Sequence, residues 1–311
     1  MPRGAAILDG RRMPAPYTRS GAVRRPARHA CRIGGKTVKI FLCSEVVREL
    51  DFAAQCRFVR ATGYDGLEIA PFTLADDPAG LGAAEIKRFK AIADAEGVDM
   101  AGLHWLLAVP EGLSITTDDD QVARRTIAFG RKLVDLCHEL GGRYLVHGSP
   151  LQRRIEPGRE AEARARGLAY FAAMAEDAEN AGLTYIIEPL SRADTGYVVS
   201  VDEALEIIAE IGSSALATMV DCYAASGNGE DIPALLEKWV PQGVIRHVHF
   251  NDDNKRGPGE GGINFRAIVD MLARLDYAGT AAVEPFVYEP DGRSCAARAI
   301  GYLRGLEQGR R

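Results

Sequence analysis

From residue 38 onward, short apolar runs alternate with amphipathic segments. Eight runs, at 38–42, 66–69, 99–103, 143–146, 184–187, 218–220, 244–248 and 280–283, are apolar at most consecutive positions rather than at every second one. Strands have that pattern when helices cover the sheet and both faces are buried. Their starts lie roughly 26 to 44 residues apart, room for one helix and two loops each. The segments between them carry helical spacing. Phe129, Leu133, Leu136 and Leu140 recur at three- and four-residue steps until Gly141-Gly142 ends the run, and Phe265, Ile268, Val269, Leu272 and Leu275 form a second such face. Ser200 and Glu203 stand as a capping box opening a helix that Gly212 closes. Eight strand–helix units in strict alternation predict an α/β fold closed as a (β/α)₈ TIM barrel. No linker or low-complexity stretch divides 38–311, so it is expected to be a single domain.

The strand ends carry the chemistry. Tyr185-Ile186-Ile187 runs into Glu188-Pro189, and Ala281-Ala282-Val283 runs into Glu284-Pro285. Strand six ends at Asp221 and strand seven carries His247 and His249. Glu68, His104 and His147 stand at the ends of strands two, three and four. In such a barrel these ends form the face where active sites lie. His247 and His249 share a side of their strand, so the one nearer the end, His249, is the expected ligand. Glu188, Asp221 and Glu284 packed together would repel without a cation. Three carboxylates and an imidazole suit a divalent ion, Mn²⁺ foremost, with Co²⁺, Mg²⁺ or Zn²⁺ as alternatives.

Composition narrows the class. The net charge of −5 gives no reason to expect nucleic acid or an anionic membrane as a partner, and no apolar run reaches the ~18 residues of a membrane span. Six cysteines without a C-x-x-C pair suggest reduced thiols in a cytoplasmic setting. Residues 1–37 differ from the rest. They hold nine Arg or Lys against the single acid Asp9, a net +8 that leaves −13 on the remainder. They are read as a disordered basic extension without chemistry.

With these motifs in hand, 38–306 resembles the sugar phosphate isomerase/epimerase superfamily, the xylose isomerase-like TIM barrels that include ketose 3-epimerases and hydroxypyruvate isomerases. The I-E-P-L of 187–190, the strand-six Asp221, the second histidine of H-x-H at 247–249 and the E-P-F of 284–286 match that family's metal motifs in order and at similar spacing. The resemblance implies Glu188, Asp221, His249 and Glu284 as metal ligands. It also implies Glu188 and Glu284 as the acid/base pair that moves a proton beside a carbonyl through a metal-stabilised enediolate, on a keto-sugar or keto-glycoside. Return of the proton to the far face gives an epimerase and return to the adjacent carbon an isomerase. Loss of a leaving group gives a 3-keto-glycoside lyase. A non-catalytic sugar-binding barrel and an AP endonuclease-like nuclease are the rivals from other classes. The resemblance further implies a homo-oligomer, dimer or tetramer.

The chain departs from the ketose 3-epimerase pattern in two places. Ala224 stands where those enzymes carry a histidine three residues after the aspartate, and Lys255 replaces an arginine. The first departure also weakens the nuclease reading, and a free ketohexose becomes less fitting than a modified keto-sugar. Around the metal set, Glu68, His104, Trp105, His147, Arg153 and Lys255 are the expected substrate contacts. Glu68 reads equally as a salt-bridge partner, the two histidines as hydrogen-bonded supports, and Trp105 as packing. Gly257-x-Gly259-x-Gly261-Gly262 lacks the lysine and Ser/Thr of a P-loop and reads as a lid or tight turn.

Overall fold

The computed structural model describes residues 38–309; the basic segment 1–37, expected to be a disordered extension, lies outside the described residues, as do 310 and 311. Eight parallel strands close into a barrel in sequence order: β1 (Lys39–Cys43), β2 (Gly66–Ile69), β3 (Asp99–Leu103), β4 (Tyr144–His147), β5 (Thr184–Ile187), β6 (Leu216–Asp221), β7 (Ile245–Phe250) and β8 (Thr280–Val283). The closing pair sets Lys39 against Thr280 and Leu42 against Val283. The expected strands are therefore all present. β6 begins two residues earlier than its apolar run, and β7 continues through His249 to Phe250, because its ladder with β6 pairs Asp221 with His249.

The helices are α1 (Phe52–Thr62), α2 (Ala83–Glu96), α3 (Asp120–Leu140), α4 (Glu160–Ala181), α5 (Val201–Ile211), α6 (Cys222–Gly227), α7 (Ile232–Trp239), α8 (Phe265–Arg274) and α9 (Gly292–Gln308). The faces read from the sequence are the buried ones: Phe129, Leu133, Leu136 and Leu140 on α3, and Phe265, Ile268, Val269 and Leu272 on α8. At α5, Ser200 accepts from the Glu203 amide at 3.2 Å. The Glu203 carboxylate accepts from the amide of Val199 at 2.9 Å, one residue before the reciprocal bond of a capping box. Gly212 closes the helix at φ 72. Among the described residues no helix is long and apolar enough to cross a membrane, and five cysteines are buried and free.

The barrel lumen is polar toward its upper end. Glu68 on β2 accepts from His249 on β7 at 2.9 Å. Those strands are separated by β1 and β8, so the bond crosses the interior. An apolar filling would have sealed the lumen; here the chain spends these positions on a hydrogen-bonded platform beneath the strand ends.

Candidate active site

Four strand ends converge. Glu188 follows β5, Asp221 ends β6, His249 lies near the end of β7, and Glu284 follows β8. All four are buried, and one potential ligand atom from each lies within 4.8 Å of the others. His249 Nδ1 is 3.0 Å from Glu188 Oε1, 2.9 Å from Glu284 Oε2 and 3.8 Å from Asp221 Oδ2. Its other nitrogen, Nε2, is held by Glu68. One ring nitrogen thus faces three carboxylates while the opposite one is fixed from behind by a fourth, the arrangement that orients a metal-binding imidazole.

The platform beneath is held by further contacts. Tyr144 Oη donates to Glu68 Oε2 at 2.5 Å, and His247 Nε2 lies 3.1 Å from the same oxygen. His247 Nδ1 is 2.7 Å from Thr280 Oγ1. Burial opposes the charge on Glu68, but the two histidines outweigh it and hold its carboxyl well below the ordinary range. Burial likewise opposes protonation of His249, yet Glu284, Glu188 and Glu68 push its pKa well up.

Asp221 is fixed at both oxygens: Oδ1 accepts from the Ala224 amide at 2.7 Å and Oδ2 from Asn251 Nδ2 at 2.7 Å. Burial, followed by the charges of Glu188 and Glu284, pushes Asp221 up to about 8. Buried beside two other carboxylates, Asp221 is the member of the cluster whose ionisation a bound cation would favour most. The oxygen-rich, single-imidazole donor set fits a divalent cation, with Glu188, Asp221, His249 and Glu284 as the residues to hold it.

Glu284 is braced from a second direction. Its Oε1 lies 3.1 Å from His104 Nδ1, and His104 Nε2 lies 2.9 Å from Glu45 Oε2. Burial disfavours charge on His104, but Glu45 and Glu284 raise its pKa well above the usual value. Glu45 sits in the turn Ser44–Val47 directly after β1. Strand one was the single strand whose end offered no acid or histidine in the sequence pattern. The missing group stands two residues past that end.

Above the cluster opens a pocket of about 210 Å³. Of the expected substrate contacts, Trp105 and Lys255 line it, together with Tyr223, Ala224, Asp194 and Phe286. Trp105 and Lys255 have left-handed backbones, φ 52 and 65, a conformation that non-glycine residues adopt rarely. Lys255 Nζ stands 4.9 Å above the Tyr223 ring, and Trp105 packs edge-on against Phe72 and Phe286. Its indole is thus a packed ring that also forms part of the pocket wall.

Glu68, His104, His147 and Arg153 do not line the pocket. Glu68 and His104 support the cluster as described, in place of the substrate contacts expected of them. His147 is turned away altogether. Tyr144 on the same strand points into the lumen, so period-two alternation sends His147 outward. There it lies 2.8 Å from Tyr185 Oη, among the rings of Tyr170 and Phe171. Burial holds its pKa well below the usual value. Arg153 is 0% exposed and donates to main-chain carbonyls, so it can meet neither phosphate nor sugar. The glycine-rich loop is a tight turn: Asp252 accepts from the amides of Gly259, Gly261 and Ile263, and Asp253 from Gly262. Its amides are spent on carboxylates of the chain.

The same alternation places Gly148 inward, one residue beyond β4. A Cβ there would lie 1.5 Å from Glu188 Oε2, so the carboxylate occupies the space a side chain would need. Gly148→Ala is expected to expel Glu188 from the cluster and weaken Mn²⁺ binding by roughly 10-fold or more. Titration calorimetry on the variant, with its fold checked by circular dichroism, reads this directly.

Comparison with known proteins follows the same lines. Residues 56–306 match the family described as xylose isomerase-like TIM barrel. The chain is 26% identical over 262 residues to fructoselysine 3-epimerase of Shigella flexneri, covering 78% of this chain and 89% of that protein. It is 27% identical over 237 residues to L-ribulose 3-epimerase of Mesorhizobium japonicum, covering 74% of each. Among solved structures, 3-keto-D-glucoside 4-epimerase from E. coli superposes with a TM-score of 0.74 at 18% identity, covering 86% of this chain and 100% of that one.

Proposed function

Since the chain belongs to the xylose isomerase-like TIM barrel family, we propose that it is a divalent-metal-dependent sugar isomerase or epimerase. Its acid/base pair is Glu188 and Glu284, and its substrate a keto-sugar or keto-glycoside. The observation that carries this reading is the pair itself. Two buried carboxylates from strands β5 and β8 flank one pocket, each within about 3 Å of the same His249 nitrogen. The epimerase names of relatives that span most of the chain support it.

In this reading one carboxylate takes the proton from the carbon beside the substrate carbonyl, and the electron pair moves onto the carbonyl oxygen as an enediolate. The opposite carboxylate delivers a proton to the far face of that carbon and inverts it. Glu188, Asp221, His249 and Glu284 would hold a divalent cation, Mn²⁺ foremost, which would supply positive charge to offset the charge that develops on the carbonyl oxygen. His104, bridged between Glu45 and Glu284, keeps Glu284 aimed at the pocket. Lys255 is the cation on the pocket wall and suits a substrate hydroxyl or carbonyl oxygen. Three acids of the cluster and Asp194 around the same space disfavour a phosphorylated sugar or a nucleic-acid backbone. Assembly as a dimer or tetramer belongs to the same proposal and is read by light scattering.

A specific observation keeps the lyase as second reading. Ala224 lines the pocket and leaves space for a substituent on the sugar. The test is solvent exchange. With Mn²⁺ in D₂O and a panel of keto-sugars and 3-keto-glucosides, deuterium is expected beside the carbonyl only in the metal-loaded enzyme. The product then sorts epimer, isomer and eliminated aglycone. Bound metal with no exchange on any panel member would instead favour a binding protein.

A further inference from the structure

Arg153 is the largest fully buried side chain of the described residues, and none of the ion pairs among those residues includes it. Burying a guanidinium without a carboxylate is expensive, so its position needs a reason. Its two terminal nitrogens reach two strand ends: Nη1 donates to the Glu188 carbonyl at 2.7 Å and Nη2 to the His147 carbonyl at 2.5 Å. Those carbonyls sit where the β4–β5 ladder stops, since the register ends at His147 against Ile187. One more backbone bond follows, from the Glu188 amide to the His147 carbonyl at 3.3 Å. The next rung of this ladder would reach the Glu188 carbonyl from the β4 side, and Arg153 Nη1 takes that place. The guanidinium fork supplies the missing rung.

The segment carrying Arg153 is itself pinned. The Ile115 amide donates to the Gln152 carbonyl at 2.9 Å, and Thr116 Oγ1 to the Arg154 carbonyl at 2.5 Å. Glu188 is thus located from three sides: its carboxylate lies over Gly148 and against His249 Nδ1, and its main chain is gripped by Arg153.

We infer that Arg153 is a positioning residue for Glu188, acting through the Glu188 carbonyl to hold the carboxylate in the cation-binding and proton-transfer geometry. The inference rests on the proposed metal site. A planar fork reaches two carbonyls on neighbouring strands, whereas the single ammonium of lysine does not match that spacing. Loss of such a support typically costs 10- to 100-fold in metal affinity.

The test is Mn²⁺ titration of the full chain, read by calorimetry or by the electron spin resonance of free Mn²⁺. Arg153→Met is expected to weaken binding by about 10- to 100-fold, Arg153→Lys to recover part of it, and the exposed neighbour Arg154→Met to leave it unchanged. Should Arg153→Met fail to fold, Arg153→Lys carries the test alone. Wild-type affinity in a folded Arg153 variant would overturn the inference, as would a crystal structure of that variant with Glu188 unmoved. Glu188→Gln separates the two claims. If it loses affinity and the Arg153 variants do not, the positioning role falls while the site stands. If it too binds like wild type, the metal-site reading falls and takes this inference with it.

Discussion

Glu188→Gln and Glu284→Gln will each remove at least about 10²- to 10⁴-fold of product formation, the usual worth of a positioned acid or base, while the protein stays folded. The amide is nearly the size of the carboxylate and can still accept a hydrogen bond, so the packing around each position is kept. It cannot take a proton. The two losses will differ in kind. In a two-base inversion each remaining carboxylate still faces one side of the reacting carbon, so each variant should retain deuterium wash-in on one epimer and lose it on the other. Glu284 is also tied to His104 at 3.1 Å and, through it, to Glu45. Glu284→Gln therefore disturbs a longer chain than Glu188→Gln and is expected to lower the melting temperature more. Exchange and conversion are followed by NMR in D₂O with single-epimer substrates. Full conversion by either variant would sink the two-base mechanism.

Much of this site could be read in the sequence because barrel strands are short and apolar, so a terminal carboxylate or imidazole stands out against its own strand. Glu188, Asp221, His249 and Glu284 were visible for that reason. Alternation puts His247 and His249 on one side and nearness to the strand end favours His249; the structure sets His247 one layer down, on Thr280. What the sequence concealed depends on parity and reach. His147 and Gly148 are adjacent, and only the parity set by Tyr144 decides that the histidine faces α4 and the glycine faces Glu188. That signal was available, since lumen-facing positions on β4 alternate, but a terminal histidine looked more chemical than a glycine. Arg153 was legible as an arginine near the site and illegible as a buried clamp, because its partners are backbone carbonyls that leave no mark in side-chain pattern. Asn251 and Glu45 act across strands, Asn251 on Asp221 and Glu45 on His104. No spacing rule along one chain segment points to such contacts.

With the proposed cation site, a chelator is expected to destabilise the protein, and the effect to grow with pH. A cation that binds only the folded chain contributes about 4 kcal/mol when its concentration is a thousand times its Kd. For a chain of this size that is a fall in Tm on the order of 10 °C on adding a chelator. The pH dependence follows from Asp221, pushed up to about 8 by burial and by Glu188 and Glu284 when no cation is present. Its folded pKa lies above the ordinary value of 3.8, so the proton it holds favours the folded state fully only below about pH 4. That contribution is lost as pH rises toward 8, because the unfolded chain has already released the proton. A bound cation takes the proton's place. Mn²⁺ binding should therefore release protons at pH 6 from Asp221 and from His249, whose pKa is also pushed well up, and its affinity should climb at least tenfold per pH unit toward 8. The Tm gap between metal-loaded and chelated protein should widen over the same interval. Calorimetry in two buffers of different ionisation enthalpy counts the protons, and scanning calorimetry with and without chelator measures the gap. A Tm indifferent to chelation at pH 8, or binding that releases no proton at pH 6, would mean that the three carboxylates are balanced by the histidines around them and not by a metal.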